Sequence, residues 1–285
     1  MFTTLVAALA IQQAGPDWTR MVNGYKLVHW SNPDDDRQTM YLFDRKKKLV
    51  FTLQDFHVGI DDISAHTSSY FVRPKAVLFD LAGKGKNDLV MSEWSGGAHG
   101  SMAYYIWSLG TRPRCLLAYD KNNMWGSSSA QEEIQDFHFA DLNHDGKKEI
   151  ISFYDGFSYL EDFGTYGGML PFILEYRNGQ YRNATPKYKS VLQQWIHRAH
   201  LEVTKVDRKG EDASRYFREL GVRLYGLGII NRSVPETTCY LSKELPRADF
   251  QWVLARRKHI RKVVGEMDGR LRSIRLYSEK PFTVN

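Results

Sequence analysis

The chain has 285 residues, 42% hydrophobic and 25% charged, with 39 Lys+Arg against 33 Asp+Glu for a net charge of +6. This is globular composition. It excludes a disordered, collagen-like or disulfide-dense chain, and no run of about 18 apolar residues exists to cross a membrane as a helix. The charge is split: residues 1–185 hold 18 basic and 22 acidic side chains, and residues 186–285 hold 21 and 11. Two parts with different surfaces are expected.

Met1 to Ala14 contains no charged side chain and includes the apolar stretch Leu5 to Ile11. Small residues at Ala8, Ala10 and Ala14 precede Gly15-Pro16, so the segment reads as a signal peptide (residues 1–14) without its basic start, and the protein as exported, periplasmic or extracellular. A buried N-terminal strand is the alternative. Thr39 to Leu53 has hairpin character. Asp55, His57, Asp61, Asp62 and His66 follow as a His and carboxylate cluster. Zinc-type chemistry is conceivable there, but no H-x-x-x-H pair exists, and a polar connecting loop fits better.

Two segments then align at an offset of 61 residues. Ala76-Val-Leu-Phe-Asp80-Leu-Ala-Gly-Lys-Gly85-Lys-Asn-Asp88 matches Phe137-His-Phe-Ala-Asp141-Leu-Asn143-His-Asp145-Gly146-Lys-Lys-Glu149. Alternating apolar runs flank each loop, which predicts strand, loop, strand. Strands are also expected over Ser101–Leu109, Arg114–Tyr119 and Met169–Tyr176, with Asn178-Gly179 as a type I′ hairpin turn before Gln180. Between the copies, Trp94-Ser-Gly-Gly-Ala-His99 offers His99 as a general base, or else a tight turn. No Ser or Cys nucleophile motif, phosphate loop or C-x-x-C pair accompanies it. Cys115 and Cys239, the only cysteines, are either bridged or two unpaired thiols.

The second loop carries side-chain oxygens at positions 1, 3, 5 and 9: Asp141, Asn143, Asp145 and Glu149. Gly146 permits the sharp turn, and the Lys147 carbonyl falls at position 7. Hard oxygen donors round a Gly-turned loop suit one Ca²⁺. An EF-hand would need Glu where Ser152 stands, and its flanks would be helical. The alternative is an Asx-rich turn that binds nothing. The first loop has Ala82 and Lys84 at positions 3 and 5, which predicts a metal-free site in which the Lys84 ammonium takes the cation's place.

The tandem Asp-x-Asn-x-Asp-Gly-x-x-Glu loop followed by Ile-Ile resembles the FG-GAP/VCBS type of repeat, over roughly residues 71–182. That resemblance implies β-propeller-like blade units of the kind found in exported bacterial proteins. It also implies calcium ligation by Asp141, Asn143, Asp145, the Lys147 carbonyl and Glu149. The chain has room for two units, or three with the Tyr41–Leu53 region, so a partial propeller or sandwich is expected.

Phe153, Tyr154, Phe157, Tyr159, Phe163 and Tyr166 make either a sugar-binding platform or core. After Pro186 the period changes toward 3.6. Leu192, Trp195, Ile196, Ala199 and Val203 line one predicted helix. Ala213, Tyr216, Phe217, Leu220, Leu224 and Leu227 line a second, after Gly210 and Asp212. Phe250, Val253, Leu254, Ile260 and Val264 line a third. If Leu254 and Ile260 face inward, the run Arg256–Lys262 is a solvated basic face, able to meet the acidic part or an anionic surface; no nucleic-acid motif accompanies it.

The expected fold is α+β, with a β-repeat domain at residues 15–185 and a helical part at 186–285. The expected function is that of a non-enzymatic, exported, calcium-binding interaction module with a protein or glycan partner. The alternative is a hydrolase or carbohydrate-active enzyme using His99 or the Asp55–His66 cluster.

Overall fold

The computed structural model describes residues 16–31, 38–55, 57–60, 80–83, 85, 88–94, 102–118, 138–154, 156–157, 160–161, 163, 168–272 and 282–283. The segment read as a signal peptide lies outside them. The architecture is α+β: antiparallel sheets come first, and helices follow.

Among the described residues, three meanders of four strands account for the β-part. The first is β1 (Trp18–Val22), β2 (Tyr25–Ser31), β3 (Gln38–Phe43) and β4 (Leu49–Asp55), to which β13 (Phe282–Thr283) adds in parallel beside β4. The second is β5 (His57–Ile60), β6 (Asp88–Trp94), β7 (Met102–Leu109) and β8 (Pro113–Ala118). The third is β9 (His138–Ala140), β10 (Glu149–Tyr154), β11 (Leu170–Arg177) and β12 (Gln180–Asn183). The predicted hairpins are present. Met40 pairs with Leu53, and Tyr176 with Tyr181 across Asn178 and Gly179, both at positive φ as that turn requires.

Neighbouring sheets share side chains. The Phe51 ring lies 5.2 Å from both Tyr105 and Trp107, and the Tyr25 hydroxyl donates to the Gly110 carbonyl at 2.9 Å. Burial of a ring such as Phe51 stabilises the joint by roughly 2 kcal/mol. The second sheet meets the third where the Arg114 guanidinium donates to the Gly179 carbonyl at 3.3 Å.

A 3₁₀ turn at Thr185–Lys187 leads into α1 (Lys189–Lys205), α2 (Ala213–Asn231), α3 (Val234–Glu244), α4 (Arg247–Ala255) and α5 (Arg257–Arg272). α2 is the central helix and is buried nearly all round, as its apolar residues on several faces require. It packs on the third sheet at Gly226, where a Cβ would stand 2.6 Å from Leu170. The predicted α2 face holds except at Tyr216, which is exposed beneath the Arg215 guanidinium.

Two helical features differ from expectation. The predicted third helix is two helices, because the chain breaks at Arg256 while its apolar spacing continues across the break. α3 was not expected, since only Thr237 and Leu241 of its residues are buried. One apolar cluster runs from Val22 through all three sheets to Leu271, so sheets and helices share a core.

Candidate metal centre

The loop at residues 141–149 joins β9 to β10. Its backbone makes two left-handed steps, His144 at φ 59° and Gly146 at φ 82°, the second at the glycine that such a conformation favours. These steps fold the side chains of positions 1 and 3 back over the loop. The Asp145 N–H donates to Asp141 Oδ1 at 3.1 Å and to Asn143 Oδ1 at 2.9 Å, so both oxygens converge on one donor. The Gly146 N–H donates to Asp141 Oδ2 at 3.1 Å.

Asp145 faces outward. Its Oδ1 accepts the Lys147 N–H at 2.9 Å, and its Oδ2 pairs with the Lys147 ammonium at 2.7 Å. Hydrogen bonding to Lys147 holds the Asp145 carboxyl below its usual pKa. Glu149 is the floor of the loop, with 0% exposure. Its Oε2 accepts the Leu142 N–H at 2.7 Å, and the Asn143 amide stands 3.5 Å from Oε1. The same amide donates to the Tyr188 hydroxyl at 3.2 Å. Burial raises the Glu149 pKa, and the Leu142 N–H opposes that shift by stabilising the anion.

The first loop has similar wiring. Asp80 Oδ2 accepts the N–H of Gly85 at 2.5 Å, as Asp141 accepts that of Gly146. Asp88, 1% exposed, accepts the N–H of Ala82 at 3.1 Å, whereas Glu149 accepts that of Leu142, one residue earlier in the repeat register. In each sheet the loop enters the second strand of the meander, β6 or β10. Lys84, expected to fill the first loop, lies outside the described residues. Among the described residues, the Lys147 ammonium pairs with Asp145, and its side chain passes close to Gly83 of the first loop.

The candidate donors read from the sequence are all oxygen: Asp141, Asn143, Asp145, the Lys147 carbonyl and Glu149. Its chemistry fits a hard divalent cation rather than zinc. Among the described residues, no three His, Cys, Asp or Glu side chains stand together as a ready-made cluster. A cation at this loop would depend on Asn143 and a main-chain carbonyl, and on Lys147 releasing Asp145. Tyr188, at the entrance to α1, was not foreseen; nothing near the loop in sequence marks a partner from beyond the sheet.

Of the other candidates, His99, Asp61, Asp62 and His66 lie outside the described residues, and Asp55 and His57 are placed only as strand backbone of β4 and β5. Tyr154, Phe157 and Phe163 are buried in the core, so these rings offer no open platform. Both cysteines are free: Cys115 is buried, with its thiol pushed up to about 12 by desolvation, and Cys239 is exposed on α3.

Within the basic run, Ile260 is buried and Leu254 half-buried, while Arg257, Lys258, Arg261 and Lys262 are exposed. Arg256 departs from that face. Its guanidinium lies 3.7 Å over the Trp252 ring and pairs with Glu161, which also accepts the Trp252 indole N–H at 3.0 Å. No helix among the described residues is long and apolar enough to cross a membrane. Compared with protein-family models, curated proteins and solved structures, the chain matches none.

Proposed function

We propose that residues 141–149 bind one Ca²⁺ through Asp141, Asn143, Asp145, the Lys147 carbonyl and Glu149. The chain in this reading is a non-enzymatic, exported interaction module made of three FG-GAP/VCBS-like units. The observation that carries it is the convergence of the Asp141 and Asn143 oxygens on a single N–H above the buried Glu149 carboxylate. Four consecutive antiparallel strands are also the plan of a propeller blade. Recurrence of the Asp loop at the same point of two meanders supports repeated units.

The cation's part is structural. It neutralises the carboxylates and fixes the loop against its neighbour by binding the folded state. Export rests on the apolar Met1–Ala14 segment. The partner is a protein or glycan, and the exposed Arg257–Lys262 face suits contact with an anionic surface. Isothermal titration tests the metal reading. One Ca²⁺ per chain, with Mg²⁺ much weaker, is the expected result; no calcium heat in wild type overturns it.

A further inference from the structure

The Asn143 amide has two chemically different ends: Oδ1 can ligate a cation, whereas Nδ2 carries hydrogens and repels one. Its orientation therefore decides whether Asn143 can serve as a ligand. In the loop at residues 141–149 one orientation is held from both sides. Asn143 Oδ1 accepts the Asp145 N–H at 2.9 Å, beside Asp141 Oδ1. Its Nδ2 donates to the Tyr188 hydroxyl at 3.2 Å, a closer partner than Glu149 Oε1 at 3.5 Å.

The Tyr188 hydroxyl also hydrogen-bonds Glu149. A phenol has one hydrogen, and an ionised carboxylate can only accept, so that hydrogen goes to Glu149. The Tyr188 oxygen is then left as an acceptor, which suits Nδ2 and not Oδ1. Turned over, Asn143 would set Oδ1 against oxygens of Tyr188 and Glu149, and Nδ2 against the Asp145 N–H.

Tyr188 is itself fixed from outside the loop. Its ring is 6% exposed and packs with Ile173 and Ala184. The Tyr188 N–H donates to the Thr185 carbonyl at 3.2 Å, and its carbonyl accepts the Leu192 N–H at 3.0 Å as α1 begins. Thr185 Oγ1 donates to Asn183 Oδ1 at 2.7 Å and accepts the Ile173 N–H at 2.8 Å, which fastens the turn to β11 and β12.

We propose that Tyr188 is a positioning residue for the cation site: its hydroxyl holds the Asn143 amide with Oδ1 toward the loop, so that cation affinity depends on how the entrance to α1 seats on the third sheet. The inference rests on the calcium reading of residues 141–149. Partners that orient a metal's ligands typically contribute about 10- to 100-fold to its affinity.

Calorimetric calcium titration across the double-mutant cycle of Tyr188→Phe and Asn143→Asp tests the role. Tyr188→Phe keeps the ring and removes the hydroxyl alone. Asn143→Asp offers an oxygen whichever way the side chain turns, so it needs no such hold. Tyr188→Phe should weaken Ca²⁺ about tenfold or more beside Asn143, and less than about threefold in the Asn143→Asp background. In calcium-free protein, the Asn143 side-chain amide protons, followed by NMR, should exchange with water faster in Tyr188→Phe than in wild type. An equal loss of affinity in both backgrounds, or unchanged amide exchange, overturns the proposal. Calcium bound by wild type and equally well by Tyr188→Phe removes the positioning role alone. A wild type that takes up no calcium overturns the calcium reading, and the positioning role with it.

Discussion

The main-chain N–H of Lys148 donates to the carbonyl of Leu81 at 2.9 Å, fastening the loop of the third sheet to the loop of the second. The Lys148 carbonyl in turn accepts the Tyr181 hydroxyl at 3.2 Å. One residue beside Glu149 thus ties both loops to the hairpin β11–β12. Tyr181→Phe removes the hydroxyl and takes this donor from the part-buried Lys148 carbonyl. The expected loss is about 1–2 kcal/mol of unfolding free energy, read by urea denaturation, with the secondary structure unchanged.

Lys147 is an internal competitor for the proposed cation, since its ammonium holds Asp145 Oδ2 at 2.7 Å. The pair is on the surface, so Lys147→Gln should change stability by no more than about 0.5 kcal/mol. It frees a carboxylate oxygen while keeping the position-7 carbonyl. Calcium titration should then show several-fold tighter binding than wild type. Unchanged or weaker binding would place Asp145 outside the ligand set.

The basic run divides into one anchored and several solvated residues. Arg256 and Arg218 both stack on Trp252, which also reaches Glu161. Trp252→Ala removes two cation–π contacts and an indole hydrogen bond, with an expected cost of about 2–4 kcal/mol. Arg257→Ala should stay within about 0.5 kcal/mol. Equal effects in chemical denaturation would mean that the run acts as one face.

His200 gives stability a pH dependence. Burial lowers its pKa from 6.5, His197 adds to that, and Glu244 opposes it. The unfolded chain therefore takes up the proton first as pH falls. The His200 contribution is intact above 6.5 and is lost as pH drops through the lower folded value. Stability measured from pH 7.5 downward should decline, and His200→Gln should flatten that slope.

The sequence already showed the repeated loop, because its wiring is local. Asp80 and Asp141 each reach the glycine five residues on, and Asp88 and Glu149 each reach back into their own loop. It showed the hairpins for the same reason. What stayed hidden is non-local. The pairing of Phe282 with Phe51 joins strands from opposite ends of the chain, and no periodicity encodes it. The break at Arg256 is invisible because apolar spacing continues on both sides. α3 carries too few buried residues to write a helical pattern. Tyr188 meets Asn143 only after the turn at Thr185–Lys187 brings α1 beside the loop.

The most direct test of the calcium account is the thermal melt of wild type and Asp145→Ala, each with Ca²⁺ and with a chelator. At about 100-fold excess over Kd, a ligand bound only by the folded state stabilises it by about 2.7 kcal/mol. Wild type should melt several degrees higher with Ca²⁺ than with chelator, and Asp145→Ala at one temperature in both. Identical wild-type melts in the two conditions, or an equal calcium shift in Asp145→Ala, would contradict a metal centre at residues 141–149.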